Sequence, residues 1–299
     1  MSHPVSTAAQ RRRAILLVLA SAATFTLSAA AVKALDRQIP LAQIVLFRNV
    51  FSMPVLVLMA MRTGGLGMLA PRVGFRLHAE RIFWGLGGMF SAFWGYMYLP
   101  LATATALGFT MPLFLTALSV LILRETVGWR RWSAVAVGFA GVLVMLRPFG
   151  EGSGLDLLAV GVVLYGALAW ALAMMAIRRL GNEGESGVAI VFWFAMGGIL
   201  VGGLMSIPSW VTPDARQWAL LVAIGVVSSI AQLLMTEAYR RGETTLLAPF
   251  EYSGLLWTML LGFAIWGEWP DIFELLGFAI LVGAGLFIWH REVTRARRG

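Results

Sequence analysis

Two charged side chains lie deep inside long apolar runs: Arg48, next to Asn49, and Glu251, just after Pro249. Burying an ionisable group in hydrocarbon costs at least about 2.5 to 3.5 kcal/mol, so each needs a partner or a task. Glu251 reads in two ways. It is either a cavity carboxylate that binds an ammonium group or exchanges protons, or a structural tie to Arg48 or to a broken-helix backbone beside Pro249. Arg48 reads first as structural, because an interior arginine usually needs a fixed partner, with the carboxylate of a bound small molecule as the alternative. Lys33 and Glu237 sit near the ends of their runs, where snorkelling to the headgroups is the ordinary explanation.

Aromatic residues make up 12% of the chain and include 12 Trp. Trp84, Trp129, Trp132, Trp210, Trp218, Trp266, Trp269 and Trp289 fall near the ends of apolar runs and read as interface anchors. Phe25, Trp94, Tyr165, Trp170, Tyr252 and Trp257 fall deeper, where each reads as packing, as lipid contact or as the wall of a cavity. Together with mid-depth Thr24, Ser28, Ser91, Thr110, Ser228 and Gln232 they would make a mixed aromatic and hydroxyl lining, suited to a planar amphiphile.

Other chemistries find no residues. Cysteine is absent, which removes disulfides, thiolate nucleophiles and cysteine-held metals. His3, His78 and His290 fall in a tail, a loop and a helix end, so neither a metal nor a cofactor is expected. The sequence carries no phosphate-binding loop, hence no sign of direct ATP use. A membrane-embedded enzyme would need paired carboxylates or a nucleophile with its base at one depth, and the runs offer none in register.

The elements that position these residues follow from composition. With 59% hydrophobic and 13% charged residues in 299, and a mean hydropathy of +0.81, the chain is an all-α polytopic membrane protein with no room for a soluble domain. Apolar runs at about 14–34, 41–61, 82–100, 102–123, 132–146, 155–177, 187–207, 217–239, 244–266 and 272–290 predict ten spans. They are helices rather than barrel strands because each is continuously apolar for about 20 residues, where barrel strands alternate over about 10. Eighteen of the 23 basic residues share one side, among them Arg11–Arg13, the arginines from Arg62 to Arg81 and those from Arg291 to Arg298. Lys33, Arg37, Arg147 and Arg216 take the other side, which predicts cytoplasmic termini. The +8 charge therefore reads as basic loops rather than as a nucleic-acid surface. Arg11–Arg13 with the run behind them also resembles a signal peptide, but the run is longer than a signal's apolar region and its removal would leave nine spans.

Small residues recur at helical spacing, as Gly87, Ser91 and Gly95 and as Gly198 and Gly202, and predict close helix packing. Pro54, Pro112 and Pro249 interrupt spans two, four and nine as candidate hinges or simple kinks. Short links near Pro100 and Gly242 predict two tight helical hairpins on opposite sides.

Placing Glu125 over Glu268 lays Phe109 on Tyr252, Phe114 on Trp257 and the run Gly138–Val142 on Leu281–Gly285. A slightly different shift lays Lys33 on Arg178. The chain thus reads as two five-span halves, at 14–148 and 155–290, between a tail at 1–13 and a basic tail at 291–299. Five being odd, the second half runs upside down relative to the first. The stretches Ala102–Pro112 with Leu123-Arg124-Glu125, and Ala248–Tyr252 with Trp266–Pro270, resemble the drug/metabolite transporter superfamily of EamA type, and within it bacterial aromatic amino-acid exporters. That resemblance covers about residues 14–290. It implies a multi-pass protein of the bacterial inner membrane whose spans enclose a central cavity, with spans five and ten outside it. It further implies a carrier exporting small amphiphilic metabolites by alternating access, aromatic amino acids first and related aromatic or cationic toxic compounds second. Import or exchange of another metabolite is the alternative. The partners expected are a small-molecule substrate, the lipid bilayer and protons exchanged through Glu251.

Overall fold

The structure, a computed structural model, describes residues 8–123, 129–147, 154–241 and 250–296. Its helices are α1 (Ala8–Ala34), α2 (Leu41–Thr63), α3 (Phe75–Tyr98), α4 (Leu101–Gly108), α5 (Met111–Leu123), α6 (Trp129–Leu146), α7 (Leu157–Asn182), α8 (Gly187–Ser206), α9 (Ala215–Arg241), α10 (Ser253–Trp266) and α11 (Ile272–Ala296). Each predicted span has its helix, and span four is built from two, α4 and α5. Among the described residues, seven segments are long and apolar enough to cross a bilayer by length and composition, and α6 and α10 carry shorter apolar stretches. Span three is long enough too, at 24 residues, but its glycines and aromatic rings lower its hydropathy. Large apolar side chains such as Leu58, Phe83, Leu200, Leu204 and Phe263 are exposed, as an exterior solvated by lipid requires.

The neighbour pattern maps onto itself when each span is exchanged for the one five further on. The main packings are α1 on α9, α3 on α7, α2 on α8 and α6 on α11. The first two are mates of each other under that exchange, and the last two are each their own mate. Phe109 and Tyr252, which the repeat equates, touch with ring centroids 4.9 Å apart. Equivalent residues in mutual contact must lie on the axis relating the halves. Both halves also break their fourth span at the equivalent place: Phe109 and Thr110 form a turn between α4 and α5, and Tyr252 forms the turn before α10. Pro112 falls in the first turn of α5, where its missing N–H costs no hydrogen bond. Pro54 is inside α2, while Pro249 and Glu125 lie outside the described residues.

The basic residues assigned to the smaller group do collect at one end. There Lys33 pairs with Glu268, Arg147 with Asp271, Arg216 reaches the Ala34 carbonyl, and Arg37 lies over Tyr98. Lys33 is therefore not snorkelling: its Nζ lies 2.6 Å from Glu268 Oε1 and 3.0 Å from the Leu99 carbonyl. At the other end Arg179 and Arg76 meet Glu80. Arg81, placed by its sequence among that end's loop arginines, departs from the expectation. The helix α3 begins at Phe75, about two turns before the predicted span, and carries Arg81 into the bundle at 5% exposure.

His78, read from sequence as a loop residue, is likewise on α3 and buried. It bonds the buried Glu185 at 3.1 Å, and the same Glu185 oxygen accepts from the N–H groups of Arg72 and Val73. Burial alone would raise the Glu185 pKa, but His78 and the N–H groups of Arg72, Val73 and Ser186 hold it below the ordinary value. We expect Glu185→Gln to cost about 1–3 kcal/mol at neutral pH, since the amide cannot accept all these donors. A depressed folded-state pKa gives stability that is complete above the unfolded value of about 4.3 and is lost as pH falls through the folded value. Melting temperatures of the two proteins should therefore lie well apart at pH 7 and draw together in acid.

Candidate functional site

A cavity of ≈ 190 Å³ opens between α1, α3, α4, α9 and α10. From α1 come Val18, Ser21, Ala22, Phe25, Thr26 and Ala29; α3 gives Tyr96, α4 Thr105, α9 Met235, and α10 Gly254 and Thr258, with Phe109 and Glu251 from the two breaks in the fourth spans. Discontinuous helices place irregular backbone and ionisable groups at depth while keeping them lined by protein.

Most hydroxyls in this wall already donate their hydrogen bond to a backbone carbonyl. Ser21 donates to the Ala231 carbonyl at 2.8 Å, Thr26 to Ala22, Thr105 to Leu101 and Thr258 to Leu255. Toward a guest these oxygens can only accept, as can an ionised Glu251. The lining thus favours a molecule that brings N–H donors or positive charge, with Phe25, Tyr96 and Phe109 as apolar faces. Its acidic group and its apolar rings belong to different helices and meet only in the folded chain.

Of the residues singled out by sequence, Phe25 and Glu251 line this cavity. Tyr252 borders it through Phe109, but its hydroxyl lies against Gly285 on α11. Thr110 is buried at the turn and bonds the Leu107 carbonyl. Ser91 packs on Gly166 where α3 crosses α7, Tyr165 sets its hydroxyl over Gly87 in the same crossing, and Trp94 stacks on Tyr98. Gln232 is half-buried on α9 and Trp257 is partly exposed on α10. Trp170 packs on Gly88 and faces Arg81. Ser28 and Ser228, expected in the lining, bond each other at 2.7 Å and tie α1 to α9.

Sequence reasoning missed Tyr96, Thr105 and Thr258 in the wall, and it missed the pairing of Lys33 with Glu268 above it. A signal for the pair existed, since the repeat laid both of its members on residues of like charge, Arg178 and Glu125. For Arg81 the early start of α3 concealed the depth.

Helices of two inverted halves around an amphipathic cavity define a polytopic carrier of small molecules. The chain belongs to the EamA-like transporter family, which it matches over residues 12–147 and 157–289. It is 30% identical over 250 residues to the riboflavin transporter of Vibrio cholerae, covering 82% of this chain and 81% of that one. It is 31% identical over 209 residues to the S-adenosylmethionine uptake transporter of Rickettsia bellii, 69% of each. Over 290 residues it is 30% identical to the pseudopaline exporter CntI of Pseudomonas aeruginosa, covering 95% of this chain and 97% of that one. One solved crystal structure matches with a TM-score of 0.66 at 18% identity over 95% of this chain and 98% of the other, a likeness of fold alone.

Proposed function

We propose that this protein is a secondary carrier that exports small aromatic or cationic amphiphiles across the bacterial inner membrane by alternating access, with aromatic amino acids first among them. The observation that carries the reading is the cavity lined by three aromatic rings and Glu251, whose serine and threonine hydroxyls already donate to backbone carbonyls and so are left to accept. Its ≈ 190 Å³ somewhat exceeds the ~150 Å³ that holds a benzene ring, a size in keeping with a single-ring amphiphile in this conformation. Riboflavin and S-adenosylmethionine, the compounds in two relatives' names, also carry flat heteroaromatic rings. The excess of basic residues on one side supports cytoplasmic termini.

Glu251→Gln tests the reading, because it removes charge with little change of shape. In liposomes holding labelled phenylalanine and the purified protein, flux should lose its pH dependence while ligand-induced stabilisation persists. Unchanged flux and pH profile, or a lowered melting temperature without any change in coupling, would overturn the role of Glu251. Import is the second reading, favoured by the uptake function in the name of the Rickettsia relative. The same vesicles separate the two by whether a proton gradient drives the label outward or inward relative to the termini.

A further inference from the structure

Arg81 is 5% exposed, and its Nε and Nη1 have no hydrogen-bond partner. Its guanidinium occupies the space beside Gly85, 4.1 Å from the Phe194 ring centroid and 5.7 Å from that of Trp170. Aromatic faces offset part of the desolvation of a cation, but they leave its in-plane N–H donors unmatched. Arg48, on α2, donates to the neutral amide oxygen of Asn49 at 3.1 Å and adds a second positive charge to this part of the bundle. Two like charges therefore share the interior among α2, α3, α7 and α8. Among the described residues, two acids near that end are engaged elsewhere: Glu80 with Arg76 and Arg179, and Glu185 with His78.

A buried cation without a counter-charge is among the most destabilising arrangements a fold can keep. Conservation of stability alone would replace it with a hydrophobic residue, and activity is the usual reason for keeping such a strained site. We propose that Arg81, assisted by Arg48 and held between Trp170 and Phe194, forms an anion subsite for a carboxylate or phosphate group. It is distinct from the cavity wall on the same helix: fifteen residues separate Arg81 from Tyr96, about 22 Å along the axis at 1.5 Å per residue. Phe194 and Trp170 lie beside the guanidinium, and a planar fork is the donor geometry that grips two oxygens at once. In the present conformation the fork is closed off, so the anion enters when α3 and α8 part. The proposal rests on the carrier reading in treating the anion as part of a cargo molecule.

The test uses the full chain in phosphatidylcholine nanodiscs, with benzoate, phenyl phosphate and neutral benzyl alcohol as probes, and a second set of discs containing phosphatidylglycerol. The two anions should raise the melting temperature saturably and benzyl alcohol should not. Arg81→Gln should weaken anion binding at least tenfold, Arg81→Lys should recover part of it, and ligand-free Arg81→Gln should melt no lower than the wild type. Stabilisation by phosphatidylglycerol alone, abolished by Arg81→Gln, would assign the same subsite to a lipid headgroup. Three results would overturn the site: no response to any anion, an equal response in Arg81→Gln, or a lower ligand-free melting temperature in that variant with no anion effect. Anion binding lost in Arg81→Gln while no solute is transported counts against the carrier reading alone. Flux without any anion effect on melting counts against this subsite alone.

Discussion

Gly277→Ala should unseat α11 from α6 and lower the stability of the purified protein by about 3 kcal/mol or more, at the upper end of what overpacking costs. A Cβ at position 277 would fall 2.6 Å from the Gly141 carbonyl oxygen, and a Cβ at 141 would fall 3.0 Å from the Gly277 carbonyl. Backbone meets backbone there, so no rotamer change relieves the clash. In lipid, helix association depends on such close packing rather than on expulsion of water. Gly283→Ala is the matched control. It lies in the same helix with nothing within 4 Å of its added Cβ, and should change stability by no more than about 0.5 kcal/mol, with helix propensity in its favour. Since α6 and α11 give no residue to the cavity, the folded fraction of Gly277→Ala should bind ligand normally. Equal melting temperatures for the 277 and 283 variants would mean that this crossing is looser than described.

Lys33→Met is the second change with a large expected effect. Lys33 Nζ bonds Glu268 Oε1 and the Leu99 carbonyl, while Glu268 Oε2 accepts from the Leu101 N–H at the start of α4. One carboxylate thus joins span one to spans three and four and caps a helix N-terminus, where negative charge is favoured. The side chains of Lys33 and Glu268 are 13% and 26% exposed, so removing either should cost about 2–3 kcal/mol, less than a fully buried pair would. The double variant Lys33→Met, Glu268→Leu should recover about 1 kcal/mol or more of the summed loss, the coupling that residues in contact display. The pair lies just beyond one end of the cavity wall, where it is expected to restrict access: Ala29, in the wall, is one turn before Lys33, and Thr105 is one turn after Leu101. The chain has no cysteine. Cysteine placed at Ala29 should therefore react slowly with an impermeant thiol reagent in the otherwise wild-type protein and several-fold faster when Lys33 is Met. Unchanged reactivity would separate the ion pair from closure of that end.

The sequence alone determined the class of fold, because hydrocarbon imposes simple rules. Continuous apolar runs of about 20 residues can only be helices, and each of the ten has a helix among the described residues, with ends shifted by up to about two turns, as at the start of α3. Repeat arithmetic also lay in the linear order: Phe109 over Tyr252 required no coordinates, and in space the two rings touch. The break in span four was half-legible, since Pro112 announced a disturbance but the turn falls at Phe109 and Thr110, where side-chain bonding to Leu107 stabilises it.

What only the tertiary structure decided is which polar groups face one another, and that depends on helix rotation and on pairings across the chain. Lys33 and Glu268 are 235 residues apart, so no local pattern distinguishes an ion pair there from two snorkelling side chains. Arg81 has the same neighbours in sequence as a loop arginine and becomes buried because α3 starts early and glycine at 85 leaves room for its guanidinium. Ser28 and Ser228 look like lining residues until the packing of α1 on α9 turns them toward each other. Periodicity fixes what a helix is, because that energy is local. The face it turns to its neighbours is set by packing among helices far apart in sequence, and with it the cavity between them.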